Sequence, residues 1–288
     1  MDAFVDLIRR TRLSARVYHN AMVCGDWQLN EYHPGACCFH MVTSGQCRMA
    51  MESEQVILCA GDLVFFPREI AHKMFPVSTQ TGEQQHLAYS DKNALHGTGL
   101  LCGAICFDHP SANQLLDALP VFCVIPANAN QSWFKPIYDL ILAECYSPSL
   151  ASSVILDRLS ELIFMQCLQY LIQQSPQKRN LLALYAHPQL AKVISAIHAH
   201  PDVGWTLESL AQEANMSRTQ FAKVFREVSG WTAMQYITWW RMQIAVDLLR
   251  KGESFGRICD TIGYQSEAAF QRSFKQVVGV SPGKFRNK

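Results

Sequence analysis

The C-terminal third of the chain repeats one pattern of hydrophobic and polar positions. A serine, two phenylalanines four residues apart and a glycine recur 49 positions later, as Ser217, Phe221, Phe225, Gly230 and then Ser266, Phe270, Phe274, Gly279. A serine that can cap a helix, followed by apolar residues four apart, is typical of a short amphipathic helix. Each copy follows a short helical segment with a small residue, which lets two helices cross closely around a tight turn. The pattern therefore predicts a tandem pair of helix-turn-helix units.

The segment between the two units predicts a long helix. Residues 232–251 contain no glycine or proline and carry apolar residues at helical spacing. At 1.5 Å per residue such a helix spans roughly 30 Å, which is close to one turn of B-DNA, about 34 Å. A rigid helix of this length can hold two recognition helices in successive major grooves on one face of the duplex.

The N-terminal half changes to a strand pattern. Residues 20–110 contain short apolar runs broken by Gly, Pro, Asn and Ser, which is typical of a small β-barrel or sandwich. From about residue 113 the pattern becomes helical, and it predicts helices over 113–119, 133–146 and 152–174. The apolar stripe of the last helix fits packing against the barrel or against a second subunit.

Charge distinguishes the two halves of the chain. The whole chain has a net charge of +1, whereas residues 187–288 hold 13 Lys/Arg against 8 Asp/Glu and residues 1–186 hold 12 against 16. A basic half suggests a polyanionic partner, with a solvated helical surface as the simpler alternative. On a duplicated helix-turn-helix the excess favours double-stranded DNA as the partner.

Composition indicates the compartment. No run is apolar over the length of a signal-peptide core or a membrane span, so we expect a cytoplasmic protein without a membrane partner. In a reducing cytosol the 11 cysteines are expected to remain mostly thiols.

The second unit, RICDTIGYQSEAAFQRSFKQVVGVSPGKFR, resembles the signature of the AraC/XylS family of bacterial transcription regulators. The signature residues are Ile258, Cys259, Gly263, Tyr264, Phe270, Phe274, Gly279, Pro282, Phe285 and Arg286. Cys259 stands where the family usually has Ala, and both are small enough for the helix crossing. The resemblance covers about residues 187–288. It implies a sequence-specific DNA-binding regulator, more often an activator, that acts as a homodimer on a promoter with RNA polymerase, its dimer contact formed by the helices after the barrel.

The residues on the side of each recognition helix away from its two phenylalanines are expected to face DNA. They are Arg218, Thr219, Ala222, Lys223 and Arg226 in the first helix, and Glu267, Ala268, Gln271, Arg272 and Lys275 in the second. By resemblance, the base-reading positions fall on Thr219, Ala222, Lys223, Glu267, Ala268 and Arg272. Arg and Lys pair with guanine, so we expect Lys223 and Arg272 to carry most of the direct readout. The alternative for each charge is a phosphate contact.

Two segments of the N-terminal half resemble the motifs of cupin barrels. GDLVFFPREIAH, residues 61–72, resembles the second motif, in which Pro67 begins the turn that returns His72 to the barrel interior. CFHMVTSGQC resembles the first motif and places His40 at a cupin histidine. Together with LLCG and FDHP they resemble the sensor domains of an AraC-type subgroup that includes a regulator of the response to reactive chlorine.

The predicted fold class is α+β and multidomain. It combines an N-terminal cupin-like β-barrel and its following helices with a C-terminal all-α domain of two helix-turn-helix units joined by a long helix. A chain of 288 residues is long enough for two cores. The predicted divisions are a barrel over 1–112, a helical dimerisation and linker region over 113–180, and a DNA-binding domain over 187–288.

The barrel offers two kinds of sensor chemistry. Cys24 and Cys102 are the candidates for a redox-active thiol, which would need access to solvent and a low pKa. His40 and His72 are candidate metal ligands, and a nearby Cys or His33 could complete a site for zinc or a soft metal. Two histidines hydrogen-bonded inside the barrel are the simpler alternative, in which no cofactor is bound.

These observations favour a DNA-binding transcription regulator whose barrel senses a signal that the sequence does not identify. An oxidant acting at cysteine is preferred over a metabolite or metal at the histidines, because the barrel strands are apolar and rich in cysteine. A cupin enzyme fused to a DNA-binding domain is less favoured, because the first motif lacks the second His and the Glu of enzymatic cupins. A third alternative is an architectural DNA binder whose barrel only mediates dimerisation.

Overall fold

The computed structural model describes residues 3–30, 36–52, 54–94, 96–127, 133–174 and 180–286. The chain divides into two compact units. The barrel unit is formed by Leu13–Cys106 and Leu119–Leu171, and the helical unit by Met1–Arg12, Phe107–Ala118 and Ile172–Lys288. The predicted α+β multidomain fold class is confirmed.

The strands of the described residues all lie in the barrel unit, apart from the last residue of one. They are β1 (Leu13–Cys24), β2 (Cys37–Ser44), β3 (Gln46–Met51), β4 (Gln55–Cys59), β5 (Leu63–Phe66), β6 (His72–Pro76), β7 (Gln85–Leu87), β8 (Thr98–Phe107) and β9 (Cys123–Ile125). They form a six-stranded sheet in the order β7-β1-β8-β2-β5-β9 and a three-stranded sheet in the order β4-β3-β6. β2 lies between β5 and β8 and is antiparallel to both.

The helices follow the same numbering in chain order. They are α1 (Ala3–Thr11), α2 (Ser111–Asp117), α3 (Phe134–Tyr146), α4 (Ser152–Gln174), α5 (Ala183–Ala186), α6 (Leu190–Ala199), α7 (Leu207–Glu213), α8 (Arg218–Ser229), α9 (Ala233–Arg250), α10 (Phe255–Ile262), α11 (Glu267–Val278) and α12 (Pro282–Arg286). Within the described parts of the chain, none of them has the length and apolar character needed to cross a membrane.

The two sheets of the barrel unit share one apolar core. Its buried members come from both sheets and from the β1–β2 connection: Val23, Trp27, Cys38, Val42, Cys47, Met49, Leu58, Val64, Phe66, Met74, Leu100 and Cys102. On the opposite face of the six-stranded sheet, the ring of Phe164 on α4 lies 5.0 Å from that of Phe65 on β5. The six-stranded sheet is therefore covered on one face by the smaller sheet and on the other by a helix.

The N-terminal helix α1, which the sequence pattern did not predict, packs within the helical unit. Its buried residues Ala3, Leu7 and Thr11 are four apart and therefore share one face. The guanidinium of Arg10 lies 4.9 Å from the centre of the Trp240 ring on α9. This geometry is a cation–π contact, and the Arg10 side chain that makes it is partly buried.

Ion pairs connect both early segments of the helical unit to α9. Arg10 and Arg12 each pair with Asp247, Arg12 at 3.0 Å. Arg250 reaches both carboxylate oxygens of Asp108, at 3.0 and 3.1 Å. The residues just before β1 and just after β8 are thus held against the helix that joins the two helix-turn-helix units.

The compact units differ from the predicted divisions at the N-terminal side. The prediction places residues 1–112 in the barrel and 113–180 in the linker region, whereas residues 1–12 and 107–118 pack within the helical unit. Local periodicity shows that a segment is amphipathic, but it does not show which distant surface the segment packs against. The sequence pattern therefore did not assign these segments to the helical unit. Of the predicted dimerisation and linker region, residues 128–132 and 175–179 lie outside the described residues.

Candidate DNA interface and sensor site

Local sequence defines both ends of each recognition helix. The Ser217 hydroxyl accepts a hydrogen bond from the backbone amide of Gln220 at the start of α8. The Ser266 hydroxyl accepts one from the backbone amide of Ala269 at the start of α11, and both distances are 3.3 Å. Each helix ends at a glycine in the left-handed conformation. The predicted serine caps and terminal glycines therefore have the expected geometry.

Each recognition helix buries its phenylalanines and turns the predicted DNA-facing residues outward. The side chains of Phe221, Phe225, Phe270 and Phe274 are fully buried. Nine of the ten predicted residues are exposed and one, Ala222, is half-buried: Arg218, Thr219, Ala222, Lys223, Arg226, Glu267, Ala268, Gln271, Arg272 and Lys275. The polar face of each helix is accessible to a duplex, as the pattern predicted.

The outward charges differ in their contacts. Arg218 pairs with Glu208 of α7 at 3.0 Å, and Lys223 lies 4.0 Å from Glu227 on its own helix. Arg272 forms no ion pair within the described residues. Because these pairs are exposed, DNA phosphates compete with them at little cost.

A buried hydrogen-bonded chain fixes the long helix against α6. The His198 ring stacks on Trp240 with centroids 3.4 Å apart, and its Nε2 lies 2.7 Å from the hydroxyl of Tyr236. That hydroxyl is in turn 2.9 Å from the hydroxyl of Tyr185. Burial, and then the nearby Arg10, lower the pKa of His198 to about 2. The imidazole is therefore neutral at physiological pH.

The two turns use different residues for the same left-handed backbone. Asn215 has a φ of 52° in the first turn, and Gly263 has a φ of 71° in the second. A Cβ placed on Gly263 would lie 2.2 Å from the carbonyl oxygen of Asp202. The second turn accordingly requires glycine for space as well as for conformation.

Inside the barrel unit, three donor side chains converge, and a fourth lies beside one of them. The Nε2 atoms of His40 on β2 and His72 on β6 lie 3.0 Å apart. The Sγ of Cys38 lies 4.0 Å from Nε2 of His40. One donor atom each of Cys38, His40 and Glu69 lies within 4.8 Å of the others. We name these four residues the donor cluster, and all four are buried.

Hydrogen bonds and burial determine which atoms of the donor cluster carry protons. Nδ1 of His72 donates to the carbonyl of Ile70 at 2.8 Å, so its Nε2 presents a lone pair to the cluster. Burial, and then His72, lower the pKa of His40 to about 3, so this ring is neutral. The thiol of Cys38 donates to the carboxylate of Glu69, and burial followed by the Glu69 charge raises the pKa of that thiol.

A cavity of about 850 Å³ lies beside the donor cluster. His72 is part of its wall, with apolar side chains such as Ile70 and Phe122 and charged ones such as Glu52 and Lys73. His72 therefore belongs both to the cavity wall and to the donor cluster.

The predicted thiol sensors lie in places that do not activate them. Cys102 is buried opposite His40 in the sheet register, and burial, then Cys47 and Glu69, raise its pKa. Cys24, at the end of β1, is half-buried, and burial followed by Asp91 raises its pKa. Reactive thiols have lowered pKa values, so neither environment favours a thiolate.

The structure extends the predicted histidine pair rather than joining it to the predicted thiols. The sequence left the further ligand open as a nearby Cys or His33. The nearby cysteine is Cys38, Glu69 was not expected, and His33 lies outside the described residues. The first motif lacks the expected carboxylate, and the second motif supplies one at Glu69. Two signals could have identified them. Cys38 is two residues from His40 and so shares its strand face, and Glu69 lies in the turn that begins at Pro67.

Two family models match the chain. The model described as Cupin matches residues 2–173, which is more than half of the chain. The model described as Helix-turn-helix domain matches residues 210–288. The two matches agree with the sheets of the barrel unit and with the paired turns of the helical unit.

Curated relatives match over nearly their full length. The RCS-specific HTH-type transcriptional activator RclR of Escherichia coli K12 is 28% identical over 100% of this chain and 98% of its own. The HTH-type transcriptional regulator AlkR of Acinetobacter baylyi is 27% identical over 99% of both chains. A putative AraC-like transcription regulator of Streptomyces lividans is 27% identical over 99% of this chain and 98% of its own. The chain belongs to the cupin family and, with its tandem helix-turn-helix, is an AraC-family transcription regulator.

Proposed function

We propose that this regulator activates transcription by binding promoter DNA as a cytoplasmic homodimer that contacts RNA polymerase, without enzymatic activity of its own. The observation that carries the proposal is the pair of capped recognition helices with outward polar faces, joined by α9. At 18 residues α9 spans roughly 27 Å, which suits successive major grooves. The relatives whose names include activator or regulator support the same role.

Apolar residues on α3 and α4 support a homodimer. Leu140, Val154, Leu162 and Met165 are large, apolar and exposed. Val154, Leu162 and Met165 lie at helical spacing on one side of α4, and an exposed apolar stripe of this kind is typical of a protein contact surface. A second copy of the chain is the proposed occupant, and sedimentation analysis of the full chain tests for the dimer mass.

The signal enters through the barrel unit. The donor cluster beside the cavity supports a ligand or metal at the histidines more strongly than thiol chemistry at Cys24 or Cys102, because both thiol pKa values are raised. This order is the reverse of the preference drawn from the sequence. Sensing at either thiol stays a prediction.

Selection of duplexes from a random pool tests the DNA-binding part. The full chain is expected to enrich one motif and to bind it roughly a thousandfold more tightly than random DNA, or more. The double substitution Lys223→Ala, Arg272→Ala is expected to remove most of this preference. Lys192→Ala, an exposed charge on α6, serves as the control and is expected to retain it. A parent chain that binds every duplex equally contradicts the proposal.

A further inference from the structure

The helical unit contains a pocket of about 700 Å³ between α2, the start of α9 and α11. This volume falls within the range of small-molecule sites, roughly 300–1,000 Å³. The wall includes three amides, two indoles and a hydroxyl: Gln114, Trp231, Gln235, Trp239, Ser273 and Gln276. We name it the α9 pocket and propose that it binds a neutral planar heterocycle with an amide or lactam group. Such a ligand would change the DNA affinity of α11, and this second part rests on the proposed function.

The wall of the α9 pocket is polar but carries no charged side chain among the described residues. Its remaining members are glycine, threonine, methionine and valine. A charged ligand would lose part of its hydration there without gaining a counterion, which is costly. A neutral ligand is therefore favoured, and amides and hydroxyls can both donate to and accept from its polar groups.

Two polar atoms of the wall residues are buried and have no hydrogen-bond partner. The indole Nε1 of Trp239, a residue that is 2% exposed, donates to no acceptor in the described part of the chain. The amide Oε1 of Gln114 likewise accepts no hydrogen bond there. A buried polar group without a partner costs free energy, and a ligand that pairs with it removes this cost. One donor and one acceptor match a group that offers both C=O and N–H, as an amide or lactam does.

Gln235 adds a donor on a side chain that is already held in place. Its Oε1 accepts from the backbone amide of Thr232 at 2.8 Å and from the Thr232 hydroxyl at 3.1 Å. This capping box orients the Gln235 amide, whose NH₂ group makes no hydrogen bond within the described residues. A ligand carbonyl can accept from that group without a further loss of side-chain rotamer freedom.

Two indole rings favour a planar ligand. The rings of Trp231 and Trp239 are perpendicular, with centroids 5.9 Å apart, and Trp231 is half-buried. A flat aromatic ring gains contact energy with an indole beyond the area that it buries. Met234 and Gln276 are exposed, flexible members of the wall, so they can move to let a ligand reach the buried atoms.

The α9 pocket and the predicted DNA-facing residues share α11. Ser273, Gln276 and Val277 are three and four residues apart and line the pocket from one side of the helix. Arg272 and Lys275, which are adjacent to them in the sequence, belong to the outward polar face. A ligand that prefers one position of α11 against α9 stabilises that arrangement, and it therefore shifts the affinity of the outward face for DNA.

NMR of the full chain, labelled with ¹⁵N in the tryptophan indoles, tests the site with quinazolin-4-one, a neutral planar lactam. The chain has six tryptophans, and Trp239→Phe identifies the signal of Trp239 by its absence. We expect this signal to move downfield and to saturate as the probe is added. The probe methylated at its lactam nitrogen lacks the donor and is expected to bind roughly fivefold more weakly or worse. Benzoate, which is charged, is expected not to bind.

Gln114→Leu and Trp239→Phe are each expected to weaken binding of the probe roughly fivefold or more by calorimetry, because each removes one hydrogen bond. Trp27→Phe is the matched control, since the Trp27 indole is also buried and without a partner but lies in the barrel unit. It is expected to keep the parental affinity. If the indole signals show that Trp239→Phe does not fold, Gln114→Leu decides. Parental affinity in Gln114→Leu, or no saturable binding to the parent, overturns the proposal.

DNA binding with and without saturating probe separates the two parts of the proposal. A change of roughly fivefold or more in affinity for the selected duplex supports the α9 pocket as a regulatory site. Saturable probe binding with unchanged DNA affinity rejects the regulatory part and leaves the site. Absence of sequence-specific DNA binding in both states is instead a failure of the proposed function.

Discussion

At the scale of single residues, side chains on the outer faces of α8 and α11 differ in their availability to DNA. Arg218 is paired with Glu208, whereas Arg272 makes no ion pair within the described residues. Lys275 lies about one turn further from the N-terminal end of α11 than Arg272 does. Recognition helices contact base edges mainly through their N-terminal residues. Arg272 is thus the better placed of the two for base contact.

Arg272→Ala is expected to cost about 1–3 kcal/mol of binding free energy and to relax the preference at one base pair of the selected duplex. Lys275→Ala is expected to weaken binding to all duplexes by a similar factor and to reduce the salt dependence. Affinities measured over single-base variants of the duplex distinguish the two. A uniform loss in Arg272→Ala would assign that side chain to a phosphate.

Gly263→Ala is expected to destabilise the helical unit by more than Gly279→Ala. Both glycines have a positive φ, and this conformation alone costs alanine roughly 1–2 kcal/mol. At Gly279 nothing lies within 4 Å of the added Cβ, whereas at Gly263 the Cβ meets the carbonyl oxygen of Asp202 at 2.2 Å. Denaturant unfolding gives both differences in free energy, and equal values would show that the Asp202 loop moves aside freely.

The donor cluster shows what single residues reveal in the sequence. His40 and His72 were identified by resemblance to motifs, and the structure brings them within 3.0 Å. The sequence indicated a nearby cysteine without singling out Cys38, and it did not indicate Glu69 because enzymatic cupins carry their Glu in the first motif. A cysteine is also more often a small buried hydrophobe than a ligand. Only the approach of the two sheets brings His72 on β6 to His40 on β2.

At the scale of elements, the recognition helices, the long helix and the helices after the barrel could be predicted because their signals are local. α4 has the predicted bounds, and α9 differs from the predicted 232–251 by one residue at each end. α1 could not be predicted in the same way. Both charged and apolar residues stand between its three buried residues, and its partner Trp240 lies more than two hundred residues away in the sequence.

Leu7→Ala is expected to destabilise the helical unit by about 2–5 kcal/mol, because a fully buried leucine leaves a cavity. Val5→Ala on the same helix is the control, since Val5 is 37% exposed and its loss is expected to cost much less. Tryptophan fluorescence during denaturation reports the change, because four of the six tryptophans lie in the helical unit. Equal stabilities for the two variants would show that α1 is not part of the folded core of the unit.

At the scale of the whole molecule, buried neutral histidines link stability to pH. Burial lowers the pKa of His19 and His109 to about 4 and that of His198 to about 2. Below pH about 6.5 the unfolded chain binds protons at these residues that the folded chain does not. The free energy of unfolding is therefore highest above that pH and falls as the pH decreases.

His198→Gln is expected to make this fall less steep by about 1.4 kcal/mol per pH unit, the contribution of one proton. Glutamine keeps a donor near the Tyr236 hydroxyl and does not titrate. Loss of the stacking on Trp240 lowers stability at pH 7, so the slope between pH 6.5 and about 5 is the quantity to compare. Parallel slopes for parent and variant would contradict a neutral buried His198.

The division of the chain into units has a consequence for building hybrid regulators. The backbone passes from one unit to the other after residues 12, 106, 118 and 171. The barrel unit is therefore inserted, as two separate segments, into the sequence of the helical unit. A chimera with a single crossover between residues 171 and 183 would separate Arg10 and Asp108 from Asp247 and Arg250, the α9 residues with which they form ion pairs. A chimera that keeps the helical unit intact must instead exchange only Leu13–Cys106 and Leu119–Leu171. The three segments of the helical unit must all come from one parent protein.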